Sequence, residues 1–132
     1  MDAKELRIGN YISRLDLGNN LSRIEKIIAL EEMATTTGPI KVRCEYDELS
    51  PIPLTKEWFE KNAPCKDEYE CYYFQHPTNE NIIFYLTDAG FIQEVIHTYD
   101  LIIFEHVKTV HQFQNLFFAL TNTELTINEN SL

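Results

Sequence analysis

Apolar and polar residues alternate in short runs along the first third of the chain, a pattern typical of half-buried β-strands. The clearest run is residues 40–46, where four apolar side chains alternate with three charged ones. Residues 6–14 alternate in part, and Gly9-Asn10 interrupts them as a bulge or a sharp bend would. The pattern therefore predicts at least two short strands near the start.

Residues 21–30 fit two templates, because their apolar spacing suits either a helix or a strand. We favour a strand, since the segment follows the turn signal Gly18-Asn19-Asn20 and carries the β-branched pair Ile27-Ile28. The stretch from Thr35 to Pro39 predicts a loop. Three strands with tight turns indicate a small SH3-like β-barrel lobe over residues 1–53.

A short linking helix is predicted over residues 54–63, with its helical turns at 56–62. Thr55 is placed to be its N-cap, and Leu54 and Phe59 are spaced as a hydrophobic staple. Pro64 ends the helix, because a proline pushes the residue before it out of the α region.

Four strand-like runs separated by turn residues follow this helix, and short regular spacing favours an antiparallel meander. These runs are Tyr69–Gln75, Ile82–Leu86, Phe91–His97 and Leu101–Phe104.

A second helix is predicted behind the meander. Thr109 and Gln112 are spaced as a capping box, and Asn122 is placed to end the helix in the left-handed conformation. Its apolar stripe consists of Val110, Phe113, Phe117 and Leu120. The expected class is therefore α+β, with a four-stranded meander and one helix over residues 64–132. Whether the two lobes form one compact domain stays open.

The charge is distributed unevenly. The net charge is −10, of which residues 67–132 carry −9, with Lys108 as their single lysine or arginine. Such a half repels phosphate backbones, so we expect no nonspecific nucleic-acid binding. The apolar fraction of 44% indicates a globular chain and not a disordered one.

Recognisable catalytic and metal-binding patterns are missing from the sequence. Cys65, Cys71 and His76 are spaced too widely for a usual structural zinc site, and no second ligand pair accompanies them. The only nucleophile pairing worth testing is Cys71 with His111. We therefore expect no metal, no cofactor and no assigned catalytic residue, although an enzyme with an unfamiliar site stays open.

Aromatic residues are abundant in the predicted meander. A meander covered on one face buries only alternate positions, so the surplus Tyr72 and Tyr85 are expected to face outward. Exposed aromatics with few lysines nearby are typical of a protein interface. The candidate interaction surface comprises Tyr72, Tyr85, Trp58, His111, Gln114 and Asn115.

The location expected from the sequence is the cytoplasm. The N-terminus lacks the apolar region of a secretory signal, and no apolar run approaches the roughly 18 residues that span a bilayer. Three cysteines, an odd number, agree with a reducing compartment.

Three sequence blocks carry a resemblance to a known group of proteins. They are Glu5-Leu6-Arg7-Ile8-Gly9-Asn10, then residues 51–58 (Pro-Ile-Pro-Leu-Thr-Lys-Glu-Trp), then residues 110–121 (Val-His-Gln-Phe-Gln-Asn-Leu-Phe-Phe-Ala-Leu-Thr). In this order they resemble a family of small proteins of Bacteroides-type bacteria and of their phages and mobile elements. That family has no assigned activity, so the resemblance implies a mobile-element origin and no site residues.

These observations favour a non-enzymatic accessory protein that binds a protein partner, whose identity and oligomeric state the sequence leaves open. A second hypothesis is an acidic DNA mimic that occupies a nucleic-acid-binding surface of a host protein. A third is an enzyme with an unrecognised site, which requires a pocket holding perturbed titratable groups.

Overall fold

The computed structural model describes residues 5–16, 21–30, 34–36, 42–44, 46–98 and 100–127. These residues form a mixed α+β fold with two α-helices and two five-stranded antiparallel sheets. The chain divides into two compact units. The first comprises Met1–Pro53 and Thr109–Asn115, and the second comprises Leu54–Lys108 and Leu116–Leu132.

The first unit holds a sheet in the order β4-β3-β2-β1-β5. Its strands are β1 (Tyr11–Asp16), β2 (Leu21–Leu30), β3 (Ala34–Thr36), β4 (Val42–Cys44) and β5 (Leu49–Ser50), with a 3₁₀ turn at Tyr46–Glu48. The strand prediction for residues 21–30 is confirmed. Glu25 and Ile27 are buried on one face of β2 while Ile24 is exposed on the other, which is the period of a strand.

Two boundaries in this unit differ from the sequence prediction. Thr35 and Thr36 were expected in a loop, but they belong to β3 (Ala34–Thr36), which pairs with β2 and β4. Thr36 suits a strand because it is β-branched, and its hydroxyl donates to the Glu25 carboxylate at 2.7 Å. The strand expected over 40–46 is described at Val42–Cys44, and Tyr46, its expected last residue, lies in the 3₁₀ turn instead. The expected turn at 18–20 lies outside the described residues.

The chain bends at Gly9-Asn10, as these two residue types predicted. Gly9 has a φ of 96°, which favours glycine, and β1 begins two residues later. The Ile27 amide donates to the Asn10 carbonyl at 2.9 Å, so the bend is fixed against β2. The core of this unit consists of Leu6, Ile12, Ile27 and Leu49, with Tyr46 packed against it.

The second unit holds a sheet in which five strands follow one another in chain order, each antiparallel to the next. The strands are β6 (Cys65–Lys66), β7 (Tyr72–His76), β8 (Asn79–Thr87), β9 (Gly90–Val95) and β10 (Asp100–Phe104). Four strand-like runs were predicted, so β6 is an addition.

The first of the four predicted runs began too early, because residues 67–70 form a turn. The Asp67 carboxylate accepts the backbone amides of Tyr69 and Cys71, both at 2.8 Å. Glu70 has a φ of 64°, a left-handed conformation that no strand continues through. β7 therefore starts at Tyr72 and not at Tyr69.

Both predicted helices are present with their expected caps. In α1 (Lys56–Asn62) the Thr55 hydroxyl accepts the Trp58 amide at 3.1 Å, and this helix lies within the second unit. In α2 (Val110–Thr121) Thr109 and Gln112 bind each other's backbone amides, at 3.1 and 3.3 Å. Asn122 has a φ of 55° and ends α2 as predicted.

An aromatic cluster forms the core of the second unit. Trp58 and Phe59 from α1 contact Phe74 of β7, with ring centroids 5.8 and 5.6 Å apart. Phe117 of α2 meets Phe84 of β8 edge to face at 5.4 Å. Such contacts stabilise a core beyond their buried area. One face of the sheet is thereby fixed as the packed face.

Candidate functional site

The opposite face of this sheet carries two rows of side chains across four strands. Residues paired Cα to Cα project to the same face, so the strand register defines each row. One row consists of Tyr73, Tyr85, Ile92 and Ile103, and the other consists of Gln75, Ile83, Glu94 and Leu101. We call these eight residues the open face.

A pocket of about 570 Å³ lies on the open face. Five of its lining residues belong to the two rows: Tyr73, Gln75, Ile83, Tyr85 and Glu94. Asp67 and Cys71, which belong to the turn before β7, also line it, together with Glu80 of β8. The pocket therefore combines aromatic, aliphatic and acidic side chains.

Beside the pocket the open face is apolar. Leu101 and Ile103 of β10 are 49% and 44% exposed, whereas Ile92 of the neighbouring β9 is buried. Ile102 projects to the opposite face and is 53% exposed, so β10 is exposed on both faces. β10 occurs at the end of the sheet order and pairs with β9 alone among the described strands. Exposed branched aliphatic residues on a terminal strand favour association with other chains, and they indicate an interaction site.

The pocket holds its tyrosines in the neutral form. Burial raises the pKa of Tyr85, and the negative charge of Glu94 and a hydrogen bond with that side chain raise it further. Burial likewise raises the pKa of Tyr73, with Cys65 and Asp67 adding to the effect. Both phenols therefore stay protonated at neutral pH and can donate hydrogen bonds.

The surroundings of Cys71 do not activate its thiol. Burial raises the pKa of its thiol, and the charges of Asp67 and Glu94 raise it further against the lowering effect of Lys56. Since the thiolate is the nucleophile, a raised pKa makes this cysteine poorly reactive. Cys71 was expected on a strand, but it lies just before β7 at the pocket.

His111, the partner considered for Cys71, belongs to the first unit. It is buried, and its Nδ1 lies 3.3 Å from the Thr109 hydroxyl. Burial lowers the pKa of His111 against the raising effect of Glu5. Its Nε2 has no hydrogen-bond partner among the described residues. The imidazole is thus a neutral buried group at pH 7.

The structure does not group Cys65, Cys71 and His76 as metal ligands. Across the described ranges no group of three or more His, Cys, Asp or Glu side chains is placed to hold a metal ion. Cys65 pairs with Tyr73 across β6 and β7, and His76 accepts the Thr78 amide through Nδ1 at 3.1 Å.

Three of the candidate interaction residues lie in the second unit, in different environments. Tyr85 belongs to the open face. Tyr72 projects to the opposite face, since its neighbour Tyr73 is the one paired with Tyr85, and Lys66 Nζ lies 5.6 Å from the Tyr72 ring centroid. Trp58 is buried in the aromatic core.

The other three candidates lie on α2 in the first unit, where two of them bind the chain's own backbone bend. The Gln114 side chain accepts the Tyr11 amide at 2.8 Å and donates to the Gly9 carbonyl at 3.1 Å. Asn115 Oδ1 accepts from the Asn10 amide group at 2.8 Å and from Arg7 Nε at 3.1 Å. These amides position the segment before β1.

Sequence reasoning did not single out Tyr73, Leu101 and Ile103 as candidates. Alternation places Tyr73 and Tyr72 on opposite faces, but it does not say which face is covered. The aliphatic run of β10 predicts a strand, and only the sheet order shows that this strand is terminal. The available signal was the depletion of lysine after residue 66 around aromatic strands.

Comparisons of this chain with protein-family models, with curated proteins and with solved structures gave no match. Function must therefore be argued from the geometry and chemistry of the site. Of the helices in the described segments, neither is long and apolar enough to cross a membrane.

Proposed function

We propose that this chain is a non-enzymatic accessory protein that binds a protein partner through the open face. The observation that carries the proposal is a pocket lined by Tyr73 and Tyr85, with the exposed Leu101 and Ile103 on the same face of the sheet. Tyrosine buries a large area at low entropic cost and is enriched among the residues that carry most of the binding energy of an interface. The aliphatic side chains add apolar contact area.

The terminal position of β10 supports the same proposal. A terminal strand offers unpaired backbone amides and carbonyls, which an extended partner segment can use by adding a strand. Leu101 and Ile103 project from β10 toward the open face, so a segment at this edge would also contact the aliphatic part of the surface. Edge and face together give the partner both hydrogen bonds and apolar contact.

An enzyme at the same pocket has weaker support. The pocket does hold several perturbed titratable groups: Cys71, Tyr73 and Tyr85. Every one of these pKa values is raised, however, so the thiol and both phenols are neutral at pH 7 and none is an activated nucleophile or base. No histidine is among the described residues that line this pocket. The arrangement favours binding over catalysis.

A DNA mimic would need many free carboxylates on one face. Two acidic residues of the second unit already have partners of their own. Asp88 pairs with Lys56 at 2.7 Å, and Glu70 pairs with Lys66 at 3.5 Å. These pairs leave fewer free carboxylates to imitate a phosphate backbone, so mimicry has weaker support than binding through the open face.

We propose the finer architecture of each unit from the way its strands pair. For residues 1–53 we keep the SH3-like barrel, because β2 pairs with β1 along its first part and with β3 along its second, and β5 returns to β1. For the second unit we keep a meander with the second half of α2 on its packed face. A mobile-element origin and a cytoplasmic location also stay proposals, supported by the three sequence blocks and the reduced cysteines.

Affinity capture from cells of the source organism tests the proposed function. The bait pair is the wild-type chain and a Tyr85→Ala/Leu101→Ser variant, and Ile24→Ser serves as a control because Ile24 is an exposed aliphatic residue of the first unit. We expect one set of partners to be retained by the control and lost by the open-face variant. Equal recovery by all three baits would contradict the proposal.

A further inference from the structure

We infer that the pocket on the open face receives a cationic side chain, lysine or arginine, from a basic segment of the partner. This inference deepens the proposed function and rests on it. Three acidic residues line the pocket, Asp67, Glu80 and Glu94, and none of its lining residues in the described ranges is a lysine, arginine or histidine. A cleft lined by one sign of charge attracts a ligand of the opposite sign.

The two tyrosines add a second means of holding a cation. Tyr73 and Tyr85 are direct cross-strand partners, and both residues line the pocket. A cation over an aromatic face within about 6 Å of the ring centroid is attracted by the ring quadrupole. The chain already makes such a contact elsewhere, where Lys66 Nζ lies 5.6 Å from the Tyr72 ring centroid.

Glu94 is the carboxylate that we expect to pair with the entering cation. It stands in the second row of the open face, between Ile83 and Leu101, and is partly buried. An ion pair gains strength where solvent is displaced, so a partly buried carboxylate binds a cation better than a fully solvated one. Its negative charge acts on Tyr85, so the carboxylate lies near the aromatic wall of the pocket.

Nearby basic residues of the chain do not occupy the pocket. Lys56 is close enough to act on Cys71, but its ammonium group is paired with Asp88 at 2.7 Å, and it lines a neighbouring pocket. Lys66 lies over the Tyr72 ring on the opposite face of the sheet. Neither of these two lysines supplies the positive charge that the acidic residues attract, so we assign that charge to another molecule.

A peptide segment suits the site better than a small amine because apolar positions adjoin the acidic ones. Glu94 is paired with Leu101, and Ile103 lies on the same strand two residues further on. Alternate residues of an extended segment face one side, so a basic residue over Glu94 brings its second neighbours over aliphatic surface. The partner segment is thus expected to be extended, with a basic residue flanked at alternate positions by apolar ones.

NMR titration of the full-length chain with the peptide acetyl-Leu-Thr-Arg-Thr-Leu-amide tests the inference. The matched peptide carries citrulline, a neutral isostere, in place of arginine. We expect saturable shifts at the amides of Tyr73, Tyr85 and Glu94, and an affinity about tenfold higher for the arginine peptide. Glu94→Gln should reduce that affinity about tenfold, whereas Glu105→Gln, in the turn after β10, should leave it unchanged.

Three results would overturn the inference. The first is equal affinity for the arginine and citrulline peptides, and the second is a set of shifts confined to residues outside the open face. The third is spermidine binding at the same residues as tightly as the arginine peptide, which would identify a small polyamine as the ligand. If the arginine peptide fails while the capture experiment still loses its partners with Tyr85→Ala/Leu101→Ser, the proposed function stands and only the cationic assignment falls.

Discussion

Tyr73 of β7 and Tyr85 of β8 are direct cross-strand partners, and both line the pocket on the open face. The strand register alone brings them together, since their neighbours Phe74 and Phe84 are paired on the packed face. One β-hairpin therefore supplies an aromatic core on one side and an aromatic binding wall on the other. The chemistry of the pocket follows from this division.

Replacing Glu94 with glutamine should lower the pKa of Tyr85. Burial is the main reason that this pKa is raised, so it should move toward its usual value of about 10 without reaching it. Ultraviolet titration of the phenolate, with Tyr85→Phe used to assign the signal, measures the change. An unchanged titration curve in Glu94→Gln would show that Glu94 does not act on Tyr85.

The raised tyrosine pKa values also predict how stability depends on pH. Between the unfolded pKa near 10 and the higher folded pKa, the folded state holds a proton that the unfolded state has lost. The contribution of these tyrosines to the free energy of unfolding is therefore fully present below pH 10. It decreases as the pH rises through the folded pKa. Urea unfolding at pH 9 and pH 11 should show a smaller loss for Tyr85→Phe than for the wild type.

Truncating Phe117 to alanine should destabilise the chain by about 3–5 kcal/mol. Phe117 is buried and meets Phe84 edge to face, so its removal leaves a cavity in the aromatic cluster. Leu120→Ala on the same helix is the control, because Leu120 is 43% exposed and its truncation leaves no comparable cavity. Thermal unfolding at near-wild-type temperature for Phe117→Ala would contradict the packing described for this helix.

Replacing Gln114 with leucine should cost about 1–3 kcal/mol, since it leaves polar backbone groups without partners. The Gln114 side chain binds the Tyr11 amide and the Gly9 carbonyl, and it is almost fully buried. Gln114→Glu keeps an acceptor for the Tyr11 amide but loses the donor to Gly9, so its loss should be intermediate if the carboxyl is ionised. Chemical denaturation gives the order, and a Gln114→Leu variant as stable as the wild type would rule out this role.

The buried Arg14–Glu25 pair in the first unit should behave as an ion pair that is costly to break from one side. The Glu25 carboxylate binds the Arg14 guanidinium and also accepts the Thr36 hydroxyl at 2.7 Å. Glu25→Ala leaves a buried guanidinium poorly compensated, at a cost of about 3–5 kcal/mol. The double variant Arg14→Met/Glu25→Leu should recover most of that stability. A double variant less stable than Glu25→Ala would contradict the expectation.

Local signals predicted the helices well because their caps lie within a few residues of one another. Thr55 and the Thr109–Gln112 pair make the bonds that their spacing requires. The strand at residues 21–30 was also predicted, through its turn signal and β-branched residues. The local signals placed the start of β7 too early, near Asp67. The Asp67 side chain accepts two backbone amides that a strand would otherwise use.

The candidate site was harder to predict because it depends on pairing between distant residues. Tyr85 was expected to face outward with Tyr72, but the register places Tyr73 beside Tyr85 and turns Tyr72 to the other face. His111 and Gln114 have polar side chains, yet both are buried, because α2 uses them in contacts within the first unit. Alternation gives the two faces of a strand, and only the fold decides which face is covered.

Site-specific photo-crosslinking in the source organism tests the central claim most directly. A benzophenone amino acid would replace Leu101 on the open face in one variant and Ile24 on the first unit in another, since both positions are exposed. The account predicts a discrete crosslinked partner from position 101, suppressed by an added Tyr85→Ala substitution, and none from position 24. The same adducts from both positions, or an adduct from position 24 alone, would contradict binding through the open face.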